Sequence, residues 1–167
     1  GKKFLDVTTP ARVGHLQKGH AIAFADIDND GDQDIYIEMG GAYKGDAFHN
    51  SFYLNPGQNI QNNWITIDLV RKDHINAIGS KIKIKCRVNG KAREIVRDVN
   101  SGGSFGSSPL RKEIGIGQAD SIDEIVVQWH PDRKTQVFRN IKPNQFLRLH
   151  EGEDQIDVVP LKSTNFE

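Results

Sequence analysis

The chain has 167 residues, 37% of them hydrophobic and 26% charged, so it is too apolar for a disordered protein and long enough for one domain or two small ones. Its 22 basic residues balance 22 acidic ones, so no global positive field would attract nucleic acid. No apolar run approaches the ~18 residues of a membrane-spanning helix, and the single cysteine, Cys86, excludes an intrachain disulfide. We therefore expect no nucleic-acid partner and no membrane span.

Two strands are predicted near the N-terminus, over residues 21–27 and 34–39, on either side of a loop rich in aspartate. Residues 55–63 follow as a polar, turn-forming and uncharged stretch, which predicts a boundary. The sequence therefore favours three parts, which are a first unit over residues 1–57, a second unit over residues 58–152, and a tail over residues 153–167 that forms an edge strand or stays loose.

The second unit shows the two-residue period of half-buried β-strands. In residues 81–88, Lys or Arg alternates with Ile82, Ile84, Cys86 and Val88, which makes Cys86 an inert buried thiol. Asn89-Gly90 then favours a type I′ turn into a strand over residues 91–99. Further strands are predicted over residues 64–70, 110–116, 122–129, 135–141 and 145–149, and at most one short helical turn over residues 118–123. This pattern predicts an all-β protein, with an antiparallel β-sandwich or barrel-like domain after a short N-terminal hairpin.

The loop between the first two strands carries an acid at every second position. These residues are Asp26, Asp28, Asp30, Asp32 and Asp34. Calcium takes six to eight oxygen ligands, and carboxylates at the first, third and fifth positions of a tight loop converge on one point. Gly31 allows the sharp turn, Asp32 is expected to contribute its backbone carbonyl, and Asp34 another carboxylate. Without a cation these carboxylates would repel one another, so the sequence predicts a Ca²⁺ site.

Other known calcium loops fit this segment less well. An EF-hand needs an acid at its twelfth position, where this chain has Ile37, and it needs flanking helices. Dockerin-type loops fail at the same position. Thrombospondin-like arrays need tandem copies and paired cysteines, whereas this chain has one copy and one cysteine. What remains is a calcium loop that joins two strands of one sheet.

This pattern resembles the FG-GAP (VCBS-type) repeat of β-propellers. The likeness is carried by residues 19–37, GHAIAFADIDNDGDQDIYI, with Ala25 in place of the glycine of that family's Phe-Gly pair. The opening FLDVT at residues 4–8 is also similar to the start of such a repeat. Because a propeller needs about four to eight blades and this chain holds one at most, the resemblance implies a C-terminal fragment whose earlier blades and signal peptide lie outside it.

The remainder resembles the ASPIC/UnbV domain, which follows such repeats in cartilage-acidic-protein-like secreted proteins. The likeness is carried by residues 63–65 (NWI), 77–82 (AIGSKI), 101–105 (SGGSF), 115–117 (GIG) and 126–129 (VVQW). Together the two resemblances cover about residues 4–152. They imply a secreted, periplasmic or cell-surface protein with calcium-binding propeller blades and no established catalytic residues.

A hydrolase motif is present but poorly placed. Residues 102–106 (GGSFG) match the G-x-S-x-G nucleophile elbow around Ser104, and Asp123 and His130 follow in hydrolase order. The elbow needs a helix after its sharp turn, whereas an alternating strand is predicted over residues 110–116. The interpretation as a glycine-rich loop is therefore favoured, and no enzyme is expected.

Two features leave a carbohydrate-binding alternative open. The basic residues of one strand and its hairpin partner form a row that suits either an acidic polysaccharide or, more often, a solvated sheet face: Lys81, Lys83, Lys85, Arg87, Arg93 and Arg97. Trp64 and Trp129 would serve either as a sugar platform or, more often, as core residues. An exposed tryptophan pair would favour the alternative, and burial of both would disfavour it.

The sequence therefore predicts a non-catalytic calcium-binding extracellular structural or interaction module. The alternative is a carbohydrate-binding β-sandwich module of a larger secreted or cell-surface protein. Expected partners are an unidentified protein or glycan and the remaining propeller blades of the parent chain.

Overall fold

The computed structural model describes residues 3–57, 62–102 and 108–164, and within these ranges every regular element is a β-strand. The strands are β1 Gly19–Ala25, β2 Asp34–Met39, β3 Ser51–Tyr53, β4 Asn63–Val70, β5 Lys81–Val88, β6 Lys91–Asp98, β7 Lys112–Gly117, β8 Ile122–Gln128, β9 Thr135–Ile141, β10 Phe146–His150 and β11 Ile156–Val159. The all-β prediction is confirmed. None of the described residues forms a helix long and apolar enough to cross a membrane.

The first sheet has three strands in the order β1-β2-β3, all antiparallel. Ala25 pairs with Asp34, so the aspartate loop closes the β1–β2 hairpin. This matches the expected loop between two strands of one sheet. The short third strand, β3, was not predicted, because three residues are too few to show a period.

The other strands form two four-stranded sheets, in the orders β11-β10-β4-β7 and β6-β5-β8-β9. Strand β4 pairs in parallel with β10, and the remaining pairings are antiparallel. Both sheets contribute to one buried cluster, so they pack face to face as a sandwich. Strand β11 lies at a sheet edge, which agrees with the edge strand expected in the tail.

The sandwich core follows the alternation in the sequence. Ile65 and Ile67 of β4 belong to the same buried cluster as Ile82 and Ile84 of β5, and all four are fully buried. Cys86 belongs to the same cluster, and its burial raises the pKa of the thiol, which supports its interpretation as an inert core residue. Regular apolar alternation therefore predicted the core of the second unit well.

Two local predictions have opposite outcomes. Asn89 and Gly90 both have positive φ, 51° and 75°, which confirms the type I′ turn between β5 and β6. The short helical turn over residues 118–123 is wrong: Ala119 is buried in the sandwich core and Ile122 already begins β8. Burial of these two apolar residues decides the extended path there.

The predicted division at residues 1–57, 58–152 and 153–167 stays a prediction. Residues 58–61, inside the expected boundary, lie outside the described part of the chain. Strands β3 and β4, on either side of them, belong to different sheets.

Candidate metal centre

The aspartate loop is held at its C-terminal end by Asp34. This residue is only 1% exposed, and its carboxylate accepts hydrogen bonds from the backbone N–H groups of Ile27 (2.9 Å) and Asn55 (2.9 Å). Asp34 therefore fastens the loop to its own start and to the segment after β3. The structure gives this carboxylate a positioning role, in addition to its predicted role as a ligand.

The earlier aspartates cap the backbone inside the turn. The two carboxylate oxygens of Asp26 accept N–H groups of Asp30 (3.0 Å) and Gly31 (3.1 Å). Asp28 accepts a weaker bond from Asp30 N–H (3.3 Å), and Asp30 accepts one from Asp32 N–H (3.0 Å). Positive φ at Asn29 (60°) and Gly31 (98°) gives the loop the curvature that these bonds require.

Three of the predicted ligands come together in space. One carboxylate oxygen from each of Asp26, Asp28 and Asp30 lies within 4.8 Å of the others. Two ligands of one calcium ion, each at 2.3–2.6 Å, lie at most about 5 Å apart. The group therefore has the spacing that a calcium ion needs, and within the described residues it does not include the carboxylates of Asp32 and Asp34.

Asp32 has a carboxylate oxygen that no described protein group satisfies. Its Oδ1 atom is buried and has no hydrogen-bond partner within the described part of the chain. Burial, together with the charges of Asp30, Asp34, Asp28 and Asp26, raises the pKa of Asp32 to about 6. A buried, unpartnered carboxylate oxygen among other acids is stabilised by a hard cation, so the donor set fits calcium.

The pKa values of two other loop acids move in the same direction. Burial raises the pKa of Asp26 to about 6, against the opposing effect of its hydrogen bonds from Gly31 and Asp30. Burial and the neighbouring charges of Asp30 and Asp34 also raise the pKa of Asp28. Without a metal, this loop therefore disfavours the ionised carboxylates that calcium would use.

The sequence analysis did not find the groups that surround the loop. Glu113 of β7 accepts hydrogen bonds from Asp26 N–H (3.2 Å) and from the side chain of Gln33, and it pairs with Arg111 (2.9 Å). The tail also contacts the loop, because Thr164 N–H donates to the Asp28 carbonyl (2.9 Å). No sequence signal links Glu113 to the loop, since 87 residues separate it from Asp26.

The two tryptophans have different environments. Trp129 is 2% exposed in the sandwich core and its Nε1–H donates to Gln136 (2.9 Å), so its core interpretation is confirmed. Trp64 is half-buried and lies outside the core cluster, so its core interpretation is wrong. Its indole lies so close to Gly31 that a Cβ there would be 1.8 Å from Nε1. The two-residue period of β4 places Trp64 on the face opposite Ile65, and on that face it contacts the loop.

Four of the six residues in the basic row pair with acids on neighbouring strands, and Arg139 of β9 shares one of these acids. The pairs are Lys81–Asp98 (3.5 Å), Lys83–Glu94 (3.4 Å), Lys85–Glu124 (2.9 Å), Arg87–Asp123 (3.4 Å) and Arg139–Glu124 (2.8 Å). Hydrogen bonds from Lys85 and Arg139 lower the pKa of Glu124. Cross-strand charge pairs of this kind are typical of a solvated sheet face.

The hydrolase motif is only partly described, because Ser104 lies outside the described residues. Asp123 lies at the start of β8 and His130 two residues beyond its end, so the extended strand holds them roughly 20 Å apart. A catalytic acid and its histidine need hydrogen-bonding distance. The two residues therefore do not form the pair that the motif would require.

Residues 71–156 match the family model described as ASPIC and UnbV. The chain belongs to the ASPIC and UnbV family. The matched residues contain β5 to β10 and reach the first residue of β11, whereas β4 and the aspartate loop lie before them. No curated protein matches the chain. The family match therefore covers most of the sandwich. It does not cover the candidate metal centre, whose only support is the geometry of the loop.

Proposed function

We propose that this member of the ASPIC and UnbV family is a calcium-binding, non-catalytic structural or interaction module of a secreted, periplasmic or cell-surface protein. The observation that carries the proposal is the three-carboxylate group of Asp26, Asp28 and Asp30, within 4.8 Å, beside the unpartnered buried oxygen of Asp32. Bound calcium would neutralise these acids and cross-link the loop. Asp34 completes the predicted ligand set.

Calcium is favoured over magnesium by the kind of site. The donors are carboxylate-rich and lie on a loop, and calcium accepts such irregular oxygen shells. Magnesium requires near-octahedral geometry and gives up its waters reluctantly. We therefore expect calcium to bind more tightly than magnesium.

The first sheet supports an FG-GAP/VCBS-type identity and a parent resembling the cartilage-acidic-protein-like family. Ile22 and Phe24 are exposed on one face of the sheet, and Tyr36 and Phe52 on the other, since cross-strand partners share a face. A sheet with apolar side chains on both faces needs cover on both sides. We propose that the remaining propeller blades of the parent chain provide it.

A non-catalytic role is supported by the separation of Asp123 from His130 and by the strand β7 that follows the glycine-rich segment. An elbow nucleophile needs a helix at that place. The sandwich then serves as a scaffold, with an unidentified protein or glycan as its partner.

Calorimetric titration of the metal-free chain with calcium and with magnesium tests the proposal. We expect a calcium site that Asp28→Ala removes and that magnesium fills more weakly. Asp98→Ala is the matched control, because this exposed acid pairs with Lys81 away from the loop. Magnesium binding equal to or tighter than calcium, or calcium uptake unchanged in Asp28→Ala, would refute the site.

A further inference from the structure

An open cleft of about 690 Å³ separates the aspartate loop from the edge of the sandwich. Asp30 and Asp32 line one side, and Trp64 and Gly115 line the other. This volume falls within the range of ~300–1,000 Å³ that is usual for small-molecule sites.

Four asparagine side chains give the cleft its chemical character: Asn55, Asn62, Asn63 and Asn144. Asn144 and Asn63 are fixed, because Asn144 Nδ2 donates to Asn63 Oδ1 (2.8 Å) and Asn63 Nδ2 donates to the Ala119 carbonyl (2.9 Å). Each of these amides still has one N–H free to donate. Within the described residues, the side chains of Asn55 and Asn62 have no hydrogen-bond partner. Donors and acceptors therefore lie side by side around the cleft.

Gly115 keeps the cleft open although local structure does not require a glycine there. It lies within strand β7, its φ is not positive, and a Cβ added to it would meet no described atom within 4 Å. Glycine inside a strand is unfavourable, and it often marks a place that a ligand approaches closely. Trp64 is the cross-strand partner of Gly115, yet its indole leans toward Gly31 and leaves this space free.

We propose that this cleft binds a neutral, hydroxyl-rich saccharide. Neighbouring hydroxyl groups both donate and accept, so they can donate to carboxylates and exchange hydrogen bonds in both directions with side-chain amides. The indole of Trp64 offers an apolar surface with an N–H donor. Among the described residues that line the cleft there is no lysine or arginine, while two are aspartates. The described lining therefore offers no basic side chain to pair with a sulfated or carboxylated sugar.

A saccharide is also the class of ligand that the basic row suggested, but the cleft lies at a different place and suits a neutral sugar and not an acidic one. The amides and the indole lie outside the carboxylate group of Asp26, Asp28 and Asp30. Asp30 belongs to both the carboxylate group and the cleft lining, so saccharide binding and calcium binding are measured as two separate quantities.

Glycan-array binding, followed by calorimetry with free neutral oligosaccharides, tests the proposal on the full chain with calcium present. We expect binding to neutral glycans, competed by the free sugar, and a loss of at least about tenfold in affinity with Gly115→Val, which places a branched side chain in the cleft. Removal of hydrogen-bonding groups by Asn55→Ala is expected to weaken binding about tenfold. Ala92→Val on β6, outside the cleft, is the matched control for added bulk on a strand.

Three outcomes overturn the proposal: no neutral glycan bound, only acidic glycans bound, or equal binding by Gly115→Val. Gly115→Val should bind calcium like the unmodified chain, which verifies its fold. Calcium binding by the unmodified chain without binding of any neutral glycan would be a failure of the cleft proposal alone. Binding of a neutral glycan without calcium binding would be a failure of the metal proposal alone. Trp64 fluorescence provides a second readout, since Trp129 is buried in the core.

Discussion

The two β regions of this chain differ in how far their apolar side chains are buried from solvent. In the sandwich, isoleucines from two sheets fill one buried cluster, and the outer face carries paired charges. In the β1–β2–β3 sheet, large apolar side chains stay exposed on both faces, and burial is concentrated at the aspartate loop and Met39. The sandwich has its own core, whereas the first sheet has none of comparable size among the described residues.

This difference indicates where each region obtains its stability. Burial of apolar surface contributes about 25 cal/mol per Å², and it is available mainly to the sandwich. The first sheet depends on its loop, which Asp34, Glu113 and Trp64 tie together and to the sandwich edge. We therefore expect calcium and loop contacts to decide the order of the first sheet.

The largest expected effect is the difference in unfolding free energy lost when one isoleucine in each region is replaced by alanine. Ile84→Ala removes a side chain that is 0% exposed in the sandwich core, and a loss of about 2–5 kcal/mol in unfolding free energy is expected. Ile22→Ala, at a position that is 52% exposed on β1, should cost about 0.5 kcal/mol or less. Urea unfolding of both variants measures the difference. Equal losses would show that the first sheet is as well packed as the sandwich.

Calcium should stabilise the first sheet and leave the sandwich nearly unaffected. At 100 times Kd, calcium adds ~2.7 kcal/mol by mass action, because it binds the folded loop and hardly the unfolded chain. Chelation or Asp28→Ala is expected to reduce hydrogen-exchange protection in β1 to β3, while β4 and β5 stay protected. A uniform loss across all strands would show one cooperative unit and would contradict the predicted boundary between residues 55 and 63.

The contact between Gly31 and Trp64 is tested by two alanine substitutions that share the same backbone strain. Gly45 has φ 91° and a Cβ there meets no described atom within 4 Å, whereas Gly31 has φ 98° and a Cβ 1.8 Å from Trp64 Nε1. Both alanines are expected to lose about 1–2 kcal/mol of stability, because each must adopt a left-handed backbone conformation. Gly31→Ala should cost about 1–3 kcal/mol more, from overpacking. Equal melting temperatures would show that Gly31 and the Trp64 indole are not in close contact.

The smallest expected effect is a dependence on pH. The pKa values of Asp26 and Asp32 are raised to about 6 in the folded chain, so their ionised forms destabilise the metal-free fold above that pH. As the pH falls toward the ordinary aspartate pKa, the folded chain takes up these protons and this destabilisation disappears. Calcium competes with the same protons, so its stabilisation should shrink between about pH 7.5 and about pH 5. Melting curves with and without calcium check this, and a gap that stays constant would contradict it.

Regular patterns in the sequence predicted the parts of the fold that depend on neighbouring residues. The alternation around Ile82 and Ile84 located β5, and Asn89-Gly90 located its hairpin turn. The spacing of Asp26, Asp28 and Asp30 predicted a group that the structure brings within 4.8 Å. The asparagines between residues 55 and 63 indicated only a boundary, because a polar stretch has the same composition whether it links two units or lines a cleft.

By itself, the sequence determined the strand periods, the hairpin turn and the converging carboxylates, since each arises from residues a few positions apart. Only the tertiary structure decided that β10 pairs in parallel with β4, that Glu113 reaches Asp26, and that Trp64 lies against Gly31. These contacts join residues about 30 to 90 positions apart, and their formation depends on the packing of whole sheets. The physical reason is that local chemistry sets the shape of a loop, whereas its neighbours are chosen by the burial of surfaces elsewhere in the chain.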